Sequence, residues 1–233
     1  MTSTIHIGII GEVCIDVPLN NGISKKDKLR LGGVVHSCRA CWALNIPFSL
    51  FYISPEYLTE LVEDYLTHHD VSNLVNIGYT KNSPAVMLIN DVQESGTQGY
   101  SYLLNEELII KLDSEKISFP EKYSAITDFL IFPRDYDLKE ILDFCKKTNA
   151  RVHIDIANFE NDLTILNHLN RQIQTVFSST SSQYFLNNCN KNTKYLKENL
   201  DKSIWFNELI IKENRGVSVI YFGNKTKRID AQL

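Results

Sequence analysis

Residues 29–54 read LRLGGVVHSCRACWALNIPFSLFYIS. The glycine pair Gly32–Gly33 opens a helix predicted over roughly Val34–Leu44, and Asn45 and Pro47 close it. Phe48–Ile53 is then a continuous apolar run of strand length. Upstream, residues 6–17 (HIGIIGEVCIDV) are apolar, with Gly8 and Gly11 as interruptions. They read as a buried strand that continues, bent, past Gly11. Strand, helix and strand in this order predict a βαβ unit and a parallel sheet.

Moving outward, residues 18–28 (PLNNGISKKDK) are polar and turn-rich. Residues 56–68 carry apolar positions at helical spacing, with Leu58, Leu61, Val62, Tyr65 and Leu66 as the inward face. Ala85–Asn90 and Tyr100–Leu104 are extended, and DVQESGTQG between them reads as a hairpin loop. Alternation then resumes: strand Phe129–Phe132, helix Leu138–Lys147, strand Arg151–Ile154 ending at Asp155, and a short extended Thr175–Phe177. Helices follow, then strand Glu208–Lys212 and a hairpin whose turn lies near Gly223–Asn224. The pattern is that of an α/β protein.

With 22% charged residues and a formal net charge of −4, the chain has no basic field to gather nucleic acid or an anionic membrane. Its start lacks a charged region followed by a long apolar run, so neither a secretion signal nor a membrane span is expected. The five cysteines include no CxxC pair. Cys38 and Cys41 make no complete zinc site, so buried reduced thiols in a cytoplasmic protein are the expectation. The first strand lacks Gly–x–Gly–x–x–Gly, which argues against a dinucleotide-binding dehydrogenase.

Two adjacent glycines permit positive φ and close backbone approach. A helix starting after them directs N–H groups at whatever sits there, and His36, one turn in, is able to bond a hydroxyl. A tight turn with a half-buried histidine explains the same residues without a ligand. Gly11 followed five residues on by Asp16 adds a carboxylate able to accept bonds from two vicinal hydroxyls.

Taken together, Gly11–Asp16 and Gly32–Gly33–Val34–Val35–His36 resemble the substrate motifs of ribokinase-like (PfkB-type) carbohydrate kinases, with His36 where that family has Asn. RVHIDIANF resembles the family's strand ending in Asp–Pro–Asn, here Asp155 and Asn158. TVFSSTSSQYF stands where the family has Asn–x–x–Glu, and here offers Ser179 to Ser182 or Thr180 to Gln183. IIKENRGVSVIYF resembles the nucleotide-contacting hairpin, with Glu213 in place of Gly.

The resemblance implies a three-layer α/β/α fold over residues 1–233, with a mostly parallel central sheet and a small β lid at approximately 18–31 and 83–105. It implies a sugar or nucleoside substrate held by Asp16, Gly32, Gly33 and His36. Asp155, Asn158, Ser182 and Gln183 would lie near the nucleotide phosphates, with ATP and Mg2+ as cofactors. It further implies a homodimer through the lid. The family's Gly–Ala–Gly–Asp, whose Asp is the catalytic base, has no counterpart in these residues, so no catalytic residue and no metal ligand is assigned. A truncated chain, one half of a split protein with a partner chain completing the fold, or a degenerate relative is expected. Two functions follow from different classes: the sugar-binding portion of an ATP-dependent kinase, and a non-catalytic sugar-binding or protein-interaction member.

Overall fold

The first strand, β1 (Ile7–Glu12), is buried on both faces from Gly8 onward, as a central parallel strand must be. The structure is a computed structural model, and it describes residues 5–19, 29–69, 71, 73–81, 85–92, 98–103, 109–117, 123–134, 138–157, 159, 162–182, 185, 186, 189, 192–213 and 216–230. The chain divides into two units, Met1–Ser118 and Phe119–Leu233.

In the first unit the chain leaves its first sheet abruptly. The Val13 amide still donates to Ile53 O at 2.8 Å, whereas the Ile15 amide donates to Ala85 O at 2.8 Å. Beyond this step, β2 (Ile15–Leu19) belongs to a small sheet with β3 (Arg30–Leu31). The helix α1 (Val35–Ala43) follows, with Val35, Cys38 and Cys41 as its buried stripe. It ends in a Schellman motif: the Asn45 amide donates to Trp42 O at 3.0 Å and the Ile46 amide to Cys41 O at 2.9 Å. Asn45 takes the left-handed conformation there, φ 53°.

All seven residues of β4 (Phe48–Ser54) are buried. This strand pairs parallel with β1 on one side and with β5 (Asn73–Lys81) on the other. Between β4 and β5 lies α2 (Thr59–Thr67), preceded by a 3₁₀ turn, Glu56–Leu58. Leu58, Val62 and Leu66 are buried as expected, but Leu61 is 52% exposed and Tyr65 half-buried. The apolar stripe of α2 is thus narrower than its spacing predicts, because Leu61 faces a cavity instead of the sheet.

The small sheet is completed by β6 (Val86–Val92) and β7 (Gln98–Tyr102), in the order β3-β2-β6-β7. β6 and β7 pair antiparallel, as the expected hairpin requires; residues 93–97 of its loop lie outside the described residues, as do 20–28. β8 (Ile109–Leu112) returns antiparallel to β5, and a short helix, α3 (Ser114–Ile117), follows.

The second unit begins with β9 (Asp128–Ile131) and α4 (Lys139–Thr148). Ile141, Leu142, Phe144 and Cys145 form the inner face of α4, and Asn149 ends it with φ 56°. β10 (Arg151–Asp155), β11 (Ile173–Ser179) and β12 (Glu208–Lys212) extend a parallel sheet from β9. A 3₁₀ stretch, Leu163–Gln172, joins β10 to β11 and breaks at Asn170. α5 (Thr193–Ser203) starts where the Asn192 side chain accepts from the Lys194 amide at 2.9 Å. The hairpin of β13 (Ser218–Phe222) and β14 (Lys225–Ile229) turns at Gly223, φ 55°. Both units are therefore α/β, each with parallel strands against helices, and the small sheet of the first unit is parallel only between β2 and β6.

None of the five cysteines is in a disulfide, and all are buried. Burial pushes the Cys38 thiol up to about 12, so it is inert as a nucleophile. Among the described residues, no helix is long and apolar enough to cross a membrane.

Candidate functional site in the first unit

The glycine pair closes on the point where the chain changes sheets. The Gly32 amide donates to Cys14 O at 2.7 Å and the Val34 amide to Glu12 O at 3.0 Å. A Cβ on Gly32 would lie 2.0 Å from Asp16 Oδ1, and one on Gly33 2.2 Å from Glu12 O. Gly33 also has φ +61°. Both glycines are thus required by the chain's own packing: the residue after β3 lies directly on the carboxylate of β2.

Asp16 is 2% exposed. His36 Nε2 lies 2.8 Å from Oδ2, Arg30 Nε lies 3.5 Å from the same oxygen, and the Cys14 thiol donates to Oδ1 at 3.6 Å. Burial pushes the Asp16 carboxyl up. The His36 hydrogen bond, the charge of Arg30 and the Cys14 thiol more than offset this and hold it below the usual carboxylate range.

Arg39, one helical turn after His36, places Nη1 3.4 Å from His36 Nδ1. A guanidinium only donates, so Nδ1 accepts, and Nε2 carries the hydrogen that His36 donates to Asp16. Arg39 is itself held by Leu31 O at 2.8 Å and by Tyr65 OH at 3.3 Å.

Asp16, Gly32, Gly33 and His36 are therefore brought together, in a different arrangement from an open hydroxyl-binding carboxylate. The solvent-facing polar groups are His36 and Arg30, with side chains 48% and 52% exposed, and Asp16 stands behind them. The amides at the start of α1 are also occupied. Val35, His36 and Ser37 N–H donate to the carbonyls of Gly32, Gly33 and Val34. The sequence pattern did not single out Arg30 or Arg39, and it placed Tyr65 on the inward face of a helix instead of beside His36 and Arg39. The available signal was Arg39 three residues after His36, a spacing that puts both on one helix face.

The nucleotide-side candidates belong to the second unit. Asp155 ends β10, and its Oδ1 accepts from the Ala157 amide at 2.8 Å, closing a turn. Burial pushes the Asp155 carboxyl up, more than the Ala157 amide and the charge of Lys212 pull it down. Ser182 is 2% exposed, and its Oγ accepts from the Phe185 amide at 3.2 Å, so its hydroxyl serves as a turn cap. Asn158 and Gln183 lie outside the described residues. Glu213, which stands where the resembled family has Gly, is paired with Arg228 of β14 at 2.9 Å.

Mg2+ requires several hard oxygen ligands. Among the described residues no group of three His, Cys, Asp or Glu side chains could hold a metal ion. Asp155 is engaged with the Ala157 amide, and the Ser182 hydroxyl is already used. Asp155 and Ser182 by themselves do not supply that ligand set.

Solved structures share this fold. The chain superposes on fructokinase from Xylella fastidiosa with a TM-score of 0.68 at 15% identity, covering 98% of this chain and 76% of that one. Ribokinase from Arabidopsis thaliana, solved with ribose and ATP, gives 0.59 at 15% identity over 97% and 77%. Phosphofructokinase-2 from Escherichia coli, solved with substrates and products, gives 0.62 at 14% identity over 98% and 79%. The architecture is thus the ribokinase-like three-layer α/β/α fold with a mostly parallel sheet and a small β lid. At these identities the likeness is one of fold. No protein-family model matches the sequence, and no curated protein matches it.

Proposed function

We propose that this chain is a protein of the carbohydrate kinase class, for a sugar or a nucleoside, whose reaction is phosphoryl transfer from ATP to a substrate hydroxyl, and that these residues supply the substrate-binding site. One observation carries the reading: Asp16, Gly32, Gly33 and His36 converge where the chain passes from the main sheet into the small one. Binding replaces the His36–Asp16 hydrogen bond. A vicinal diol donates to Asp16 while His36 swings to bond the substrate. ATP and Mg2+ would serve such a transfer, and these residues hold no Gly–Ala–Gly–Asp to supply its base. A cytoplasmic location suits five buried cysteines without disulfides, and the small sheet is the surface for a homodimer or a completing partner chain.

The test is phosphoryl transfer from ATP to a panel of sugars and nucleosides, alongside calorimetry with the same panel. The expected result is sugar or nucleoside binding without turnover by the 233-residue chain. Robust turnover would show that the Gly–Ala–Gly–Asp segment is dispensable, and no binding across the panel would end the substrate reading.

The second reading, a non-catalytic binding or protein-interaction member, is favoured by the pairing of Glu213 with Arg228 and by the use of Ser182 as a cap. It predicts sugar affinities that Mg-ATP leaves unchanged.

A further inference from the structure

We propose that the first unit holds a second small-molecule site, for an organic monocarboxylate with an apolar body, in the cavity walled by β3, α1 and α2. The cavity has a volume of about 350 Å³, within the range of small-ligand pockets. Ile15, Leu29, Leu31, Leu61 and Tyr65 supply its apolar wall, and Arg30 and Arg39 its charges.

The two arginines are not equivalent. Arg30 is committed to Asp16. Among the described residues the partners of Arg39 are a carbonyl, a phenol and an imidazole nitrogen, and its guanidinium stands 5.7 Å from the centroid of the Tyr65 ring. Among the described residues no carboxylate pairs with it. A half-buried guanidinium fixed by neutral groups is a cation awaiting a counter-ion, and its Nη2 hydrogens have no partner among those residues. The Tyr65 hydroxyl accepts from Arg39 and so retains its own hydrogen to donate to the same anion.

The rest of the wall selects the body of the ligand. Leu29 is 67% exposed and Leu61 52%, so two large apolar side chains stand open to water around one cation. Five apolar side chains do not suit a sugar. A phosphate dianion calls for a second uncommitted cation, which Arg30 does not supply. One carboxylate on a compact apolar group satisfies both features, and the fixed guanidinium reduces the ordering cost of binding it.

Calorimetry with phenylacetate, phenylacetamide and inorganic phosphate tests this independently of any sugar. Phenylacetate is expected to bind with a Kd of about 1 mM, and the other two at least about tenfold more weakly. Arg39→Met and Leu61→Asp should each weaken phenylacetate by about tenfold or more. Leu61→Asp alters an exposed rim residue, so its folding, checked by thermal melting, is preserved even if Arg39→Met fails to fold. Three results overturn the proposal: no saturation by phenylacetate below about 10 mM, phenylacetamide binding as tightly as phenylacetate, or an unchanged affinity in Leu61→Asp.

Discussion

Asp16 is charged, buried and fully engaged, and each property depends on a neighbour that its own stretch of sequence does not contain. His36 donates a hydrogen bond to it, Arg30 supplies the counter-charge, and Gly32 leaves room for it. Gly32→Ala would drive a methyl into the carboxylate, at a cost of about 1–3 kcal/mol. The urea midpoint should fall, and the His36–Asp16 hydrogen bond should be lost. His36→Ala should cost less, about 1 kcal/mol, because half of the imidazole faces water. If His36 closes the site, that variant should bind the preferred sugar with altered affinity in calorimetry, whereas a purely structural histidine would change the melting temperature alone.

At the scale of elements, two devices stand out. Asn45 ends α1 in the left-handed conformation that its Schellman bonds require. Asn45→Ala should destabilise by about 1 kcal/mol in chemical unfolding, since alanine lacks asparagine's tolerance of positive φ. In the second unit, Asp128 at the start of β9 accepts from both ends of the Arg151 guanidinium at 2.8 Å, from Thr127 Oγ1 at 2.7 Å, and lies 3.0 Å from His153 Nε2. This cluster joins β9 to β10 at the N-terminal edge of the strands, away from the carboxyl edge where α/β sheets bind ligands. Asp128→Ala should therefore lower stability by about 2 kcal/mol, measured by denaturant midpoint, with sugar affinity unchanged.

For the molecule as a whole, these carboxylates set the response to acid. Asp16 and Asp128 are both held below the ordinary aspartate value of about 3.9, burial opposing and their cationic partners prevailing. Their stabilisation is present above that value and is lost as pH falls through the depressed folded-state values. Asp155 has the opposite sign. Its folded-state value is raised by burial, so stability is lost as pH rises from about 3.9 through that value. Asp155→Asn should accordingly be more stable than the parent chain at pH 7, and the advantage should vanish near pH 3 in parallel urea titrations. An advantage that persists at low pH would show that Asp155 carries no buried-charge penalty.

The βαβ order and the boundaries of β4, α1, β12 and the final hairpin were legible in the sequence, because they follow from local rules: apolar run length, helical spacing, glycine and asparagine at turns. The convergence of Asp16 with Gly32, Gly33 and His36 was legible only through the resemblance. Tertiary structure alone decided that Asp16 is closed off, that Glu213 is neutralised by Arg228, and that Leu61 and Tyr65 turn to a cavity beside Arg39. The physical reason is that a side chain's charge state and accessibility depend on groups brought near it by sheet pairing and helix packing, and composition and spacing along the chain do not encode those neighbours.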